Sequence, residues 1–123
     1  MHRFARIFAL LLLVFMISGS LPRVSAADNK NLDGFAKCLS QKQVKMYGLF
    51  WCTHCAEQKD LFGPSFNYVT YVECGVPGTR RATDECKNAG IKHTPTWSFA
   101  DGTRKEGKLS LDDLAKQSGC KLP

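Results

Sequence analysis

Apolar residues are distributed along this chain in two ways, once as an unbroken run and afterwards at periodic spacing. The run extends from Ile7 to Ile17, behind Arg3 and Arg6, and its eleven residues are too few to span a bilayer comfortably. Ser18, Gly19 and Pro22 then interrupt it, and the small residues of Val24-Ser25-Ala26-Ala27 suit a signal-peptidase cut. The expectation is a cleaved signal peptide over residues 1–26 and an exported protein. An uncleaved anchor is the alternative, which would have to recruit polar flanks to lengthen its core. No cysteine lies in or just after the run, so a lipid-modified N-terminus is not indicated.

Beyond the cut the pattern changes to short periodic stretches. Leu32, Phe35, Ala36 and Leu39 recur at helical spacing and predict an opening helix that ends near Cys38 to Gln41. Val44 to Leu49 reads as a strand leading into Phe50-Trp51, and Cys52 to Phe62 as a helix stopped by Gly63-Pro64. Tyr68 to Cys74, rich in aromatic and β-branched residues, predicts a second strand, and Gly75, Pro77 and Gly78 a loop. Ala82 to Ala89 predicts a short helix closed by Gly90. Thr96 to Phe99 and Thr103 to Gly107 form a hairpin around Asp101-Gly102. Ser110 caps a last helix whose first turn carries Asp112 and Asp113 and which Gly119 ends. A crossover helix makes the first two strands parallel, and a tight hairpin makes the last two antiparallel. The result is an α/β fold with a mixed four-stranded sheet in the order 2-1-3-4 flanked by helices, the minimal thioredoxin-like architecture. Without repeats, low-complexity tracts or a second composition regime, residues 27–123 form a single domain.

Charge changes this picture little. The formal net charge of +6 falls to +3 once Arg3, Arg6 and Arg23 are removed, and the remaining charges are interspersed, so no nucleic-acid partner is expected. Cysteine changes it more. All six cysteines lie beyond the cut, and an even number in an exported domain of 97 residues argues for disulfides that supplement a modest core.

Cys52-Thr53-His54-Cys55 carries the chemistry. Two cysteines separated by two residues, at a strand end and a helix start, can close and reopen a small disulfide ring with little backbone change. Free amides and the positive end of the helix dipole stabilise the thiolate of Cys52, and a protonated His54 adds to this. Cys55, further into the helix, is the more buried, resolving thiol. A zinc site is the first alternative, but Cys74 and Cys86 are too far apart in sequence to supply a matching second pair, so no metal is expected. A structural short-loop disulfide is the second. A c-type haem would require His where Ala56 stands. His93-Thr94-Pro95-Thr96 precedes the third strand. On pattern alone Pro95 reads as a strand-edge marker, but in the inferred fold this loop faces the helix start, where a cis-proline leaves backbone groups free to pair with an extended substrate.

Phe50-Trp51-Cys52-Thr53-His54-Cys55, Leu61-Phe62-Gly63, Tyr71-Val72-Glu73-Cys74, Ala89-Gly90-Ile91-Lys92, Thr94-Pro95-Thr96-Trp97, Asp101-Gly102-Thr103-Arg104 and Ser118-Gly119-Cys120 together resemble the thioredoxin-like domain fused to, or partnered with, bacterial and plastid vitamin K epoxide reductase homologues. The resemblance implies an oxidative relay in which a membrane enzyme passes electrons to quinone and the thioredoxin-like partner gives its disulfide to folding proteins. It also implies Cys52 as nucleophile, Cys55 as resolving cysteine, Thr53 and His54 as tuners of acidity, and Trp51, Thr94 and Pro95 as substrate contacts. Thr53 stands where that family usually has proline, and Met46 where thioredoxins place a buried acid six residues before the first cysteine.

With Cys52 paired to Cys55, the other four cysteines allow three connectivities. The placement of elements favours Cys38–Cys120, tying the opening helix to the chain's end, and Cys74–Cys86, cinching the loop between strand and helix. The expectation is therefore a monomeric, cofactor-free thiol–disulfide oxidoreductase of the periplasm or an equivalent lumen, acting on cysteine-containing proteins and recharged in trans by a vitamin K epoxide reductase-like membrane protein. A reductase or isomerase arm and a non-catalytic peptide-binding module are the alternatives.

Overall fold

The computed structural model describes residues 31–123, so the signal-peptide expectation for residues 1–26 lies outside the described residues. Four strands form one sheet in the order β2-β1-β3-β4, with β1 Lys45–Gly48, β2 Thr70–Glu73, β3 Thr96–Ser98 and β4 Arg104–Glu106. β1 and β2 are parallel, while β1–β3 and β3–β4 are antiparallel. This is the thioredoxin-like arrangement expected from the sequence, with the strand that leads to Cys52 in the interior of the sheet.

The helices begin and end where the local chemistry directs. α1, Asp33–Gln41, buries Phe35, Ala36 and Leu39, and α4, Leu111–Ser118, buries Leu114. Ser110 Oγ accepts from the Asp113 amide at the start of α4, and Gly119 ends it at φ 72°, a left-handed conformation that glycine adopts without steric cost. α2, Thr53–Phe62, starts one residue later than predicted because Cys52 is its N-cap. α3, Asp84–Asn88, is capped by Thr83, whose hydroxyl accepts from the Cys86 amide.

The predicted strand over Tyr68 to Cys74 is shorter, because Gly63–Tyr68 forms a 3-10 helix and β2 begins only at Thr70. Gly63, at φ 53° and ψ −136°, breaks α2, and Pro64 then sits in the first turn of the new helix, where its missing N–H costs nothing. Ser65 Oγ donates to Asp33 Oδ1 at 2.6 Å, pinning this segment to the start of α1.

The core centres on Trp97 of β3, which is fully buried among Phe62, Met46, Leu39 and Leu114. One polar side chain enters it. The Gln58 amide, fully buried on α2, accepts from Trp97 Nε1 at 3.2 Å and from the Leu109 amide at 2.7 Å, and donates to the Leu109 carbonyl at 3.0 Å. Every polar end of Gln58 that faces the core is thus paired, as burial demands. Two disulfides close the domain, Cys38–Cys120 and Cys74–Cys86, the pairs that the placement of elements favours.

Candidate redox site

Cys52 and Cys55 are free thiols at the C-terminal end of β1 and the start of α2, in different surroundings. Cys52 is partly exposed, whereas Cys55 is buried. As N-cap, Cys52 has an extended backbone, and its sulfur accepts from the Cys55 amide at 3.2 Å, one of the donors that a helix start leaves unpaired. Its thiol also lies 3.5 Å from the Thr94 carbonyl oxygen. Thr94–Pro95 is a cis peptide, and the contact with the Thr94 carbonyl sets this loop against Cys52.

The two sulfurs differ in acidity for reasons visible in this geometry. Burial pushes the Cys52 thiol up, but hydrogen bonds from the Cys55 and Thr94 side chains and from the Cys55 and His54 amides more than offset it and hold the thiol below its ordinary value. For Cys55, burial acts in the same direction as its hydrogen bond to Cys52, and together they push the thiol up to about 11. The outer sulfur is therefore the more acidic of the two, and the inner one the more reluctant to give up its proton.

The residues expected around the pair are distributed unevenly. Trp51 packs edge-on against Phe50, with ring centroids 4.5 Å apart, and the Arg80 guanidinium lies 5.4 Å from the Trp51 ring centre. Thr53 is exposed in the first turn of α2. The His54 ring is exposed too, and its Nδ1 lies 3.3 Å from Glu57 Oε2, an oxygen that also accepts from Lys108 Nζ at 2.8 Å. It is the His54 backbone amide, rather than its ring, that acts on the Cys52 sulfur. Met46 is buried in the core cluster that also holds Cys55. Among the described residues, no group of three or more His, Cys, Asp or Glu side chains could hold a metal ion, and no helix is long and apolar enough to cross a membrane.

Two further residues, which the sequence offers only as part of a shared motif and to which sequence reasoning gives no role, stand near the pair. Tyr71 and Glu73 of β2 lie opposite Met46 and Gly48 of β1 in register, and the Tyr71 hydroxyl donates to Glu73 Oε2 at 2.8 Å. Glu73 Oε1 accepts from the Gly75 amide at 2.7 Å and the Phe50 amide at 3.2 Å, which fixes the carboxylate against the segment leading to Cys52. Their alternation along β2, two residues apart on one face, was the available signal.

No protein-family profile matches the chain. It is 36% identical over 103 residues to the thiol-disulfide oxidoreductase LTO1 of Arabidopsis thaliana, a match that covers 80% of this chain and 27% of the relative. The chain thus spans about a quarter of the length of the curated relative it matches. The fold is thioredoxin-like, its cysteine pair stands at the start of α2, and over most of its length the chain is similar to a part of a thiol–disulfide oxidoreductase.

Proposed function

We propose that this chain is an exported protein thiol–disulfide oxidoreductase that passes a Cys52–Cys55 disulfide to substrate proteins and is reoxidised by a vitamin K epoxide reductase-like membrane protein in trans. The observation that carries this reading is the opposite displacement of the two thiols, Cys52 down and Cys55 up to about 11. A substrate thiolate attacks the exposed Cys52 sulfur, the Cys52–Cys55 bond breaks, and its electron pair leaves on Cys55, which takes up a proton. A second substrate thiolate then attacks the substrate sulfur of the mixed disulfide and expels Cys52 as thiolate. Stabilising that thiolate favours the dithiol and so makes the disulfide a stronger oxidant, by about 30 mV for each 1.4 kcal/mol. Trp51 and the Thr94-Pro95 loop beside Cys52 supply the surface for the substrate segment. The apolar run ahead of the domain supports export, and the motifs shared with thioredoxin-like partners of vitamin K epoxide reductase homologues support the recharging partner.

The test is to replace Cys55 with Ser in cells and identify what becomes disulfide-linked to Cys52. Recovery of a quinone-linked membrane enzyme supports the oxidant. Recovery of only a membrane reductant turns the reading into a reductase or isomerase arm, and no adduct at all favours a peptide-binding module. Redox titration against glutathione gives the direction independently: a midpoint as low as about −270 mV, the value for thioredoxin, refutes the oxidant.

A further inference from the structure

Exchange at this site requires the buried Cys55 thiol to gain or lose a proton in each half-cycle, and besides Cys52 and the Leu49 and Thr94 groups that hydrogen-bond it, one hydrogen-bonded pair of ionisable side chains stands near. Gly48 marks the space that lies between that pair and the sulfur. A Cβ at Gly48 would lie 2.9 Å from the Tyr71 hydroxyl and 3.3 Å from Cys55 Sγ, so both atoms border the same small space, which only a glycine keeps open. From there the Tyr71 hydroxyl donates to Glu73 Oε2, and Glu73 is partly exposed. The polarity runs outward: sulfur, phenol oxygen, carboxylate, solvent. In the register that sets Tyr71 opposite Met46, no ionisable side chain intervenes from β1.

We propose that Tyr71 and Glu73 form the proton relay of Cys55, with Tyr71 the intermediate and Glu73 the acceptor. This rests on the exchange reading above and adds the residues that the reading lacks. When Cys55 resolves a mixed disulfide, its sulfur attacks the Cys52 sulfur, the bond from Cys52 to the partner breaks, and the electron pair leaves on the partner's sulfur. The Cys55 proton passes to the Tyr71 oxygen as the Tyr71 proton passes to Glu73 Oε2, and Glu73 releases it to water. When a substrate thiolate opens the disulfide, the proton returns along the same path.

The other ionisable groups facing the relay are consistent with this assignment. Lys59 of α2 sits with Nζ 3.8 Å from the Tyr71 ring centre, over the face of the ring rather than at its hydroxyl. Cys52, the remaining group, is the atom under attack. Burial first, and then the hydrogen bond and charge of Glu73, hold the Tyr71 phenol well above its ordinary range, so Tyr71 keeps one proton at all times and acts by exchanging it.

Reaction of the reduced protein with dithiobis(nitrobenzoate) separates the steps. Attack by Cys52 releases the first nitrothiobenzoate, and resolution by Cys55 releases the second. With Tyr71→Phe, the first phase keeps its wild-type rate and the second slows about 100-fold at pH 7, the scale of a lost general base. The second phase of Tyr71→Phe then accelerates about tenfold per pH unit as Cys55 must ionise unaided, whereas the wild-type second phase changes little between pH 7 and 9. Glu73→Gln, which keeps an oxygen for the Phe50 and Gly75 amides, shows the same slope and guards against a packing effect of the first substitution. A second phase at the wild-type rate and pH dependence in both variants overturns the relay while leaving exchange intact. A wild-type protein that releases no second equivalent refutes exchange itself, and the relay with it.

Discussion

Gln58→Leu tests whether the buried amide on α2 holds the helix that carries the cysteine pair in place. The substitution nearly preserves volume, so its cost arises from the groups left without partners. Trp97 is fully buried, and its Nε1–H would lose its acceptor with no water in reach, at about 2 kcal/mol. The Leu109 amide and carbonyl lose a 2.7 Å and a 3.0 Å bond, but Leu109 is only partly buried, so each costs about 1 kcal/mol. A more apolar side chain in the same place offsets about 1 kcal/mol. The net expectation is a loss of about 3 kcal/mol. In urea, with a slope of about 1.5 kcal/mol/M for a domain of this size, the midpoint falls by about 2 M at unchanged slope. Trp97→Phe supplies the second arm of a double-mutant cycle, because it removes one donor while Gln58 keeps both of its bonds to Leu109. Coupling of about 1 kcal/mol or more between the two sites is expected. A midpoint shift below about 0.5 M for Gln58→Leu, or strict additivity with Trp97→Phe, would refute the reasoning that these three hydrogen bonds act as one unit.

Three further expectations follow from the same contacts. The reduced protein should gain stability relative to the oxidised one as pH rises toward about 8.5, because Cys52 ionises earlier folded than unfolded, and lose it from there toward about 11, because Cys55 stays protonated while the unfolded thiol ionises; thermal unfolding of both redox forms across this range should show that maximum, and a monotonic difference counts against the split in acidity. Replacing Cys38 and Cys120 with Ala removes a link spanning 82 residues and should cost up to about 4.5 kcal/mol, against about 3 for Cys74 and Cys86, whose link spans 12; denaturant titrations that rank the two pairs the other way contradict the chain-entropy account. Gly48→Ala sets a Cβ 2.8 Å from the Tyr71 ring and should destabilise by about 1–3 kcal/mol, while slowing Cys55 alkylation more than Cys52 alkylation; equal effects on the two thiols would mean that the crowding does not reach the sulfur.

The order of elements was legible because each carries its own local signal. Ser110 and Gly119 bracket α4, Gly63-Pro64 stops α2, and Asp101-Gly102 turns the hairpin, with Gly102 at φ 84°. The cysteine pair was legible for the same reason, since its chemistry depends on two residues at fixed spacing beside a helix start. What escaped depends on contacts across long stretches of chain. Gln58 reads as an ordinary polar helix residue, because nothing local reveals that residue 97 brings an indole N–H to it. Tyr71 and Glu73 read as strand formers within a shared motif and nothing more, because only the pairing of β2 with β1 brings them to Met46 and Gly48. His54 was read through its ring, whereas helix geometry turns that ring to Glu57 one turn on and leaves the amide facing the sulfur. The 3-10 segment is not legible because its last residue, Tyr68, suits a strand equally well, and the seating of Ser65 on Asp33 is a contact across 32 residues.

The Cys74–Cys86 bridge stands close to the reactive pair, since the Cys74 amide donates to the carbonyl of Gly48, next to the space shared with Cys55. Both of its sulfur-bearing residues are nevertheless sealed, at 2% and 1% exposure. Disulfide exchange needs a thiolate to approach the far side of the bond in line, and no thiolate can reach a bond enclosed in this way. If Cys52 and Cys55 exchange as proposed, this neighbouring bridge stays out of the reaction, and the domain keeps one of its staples while its reactive pair turns over.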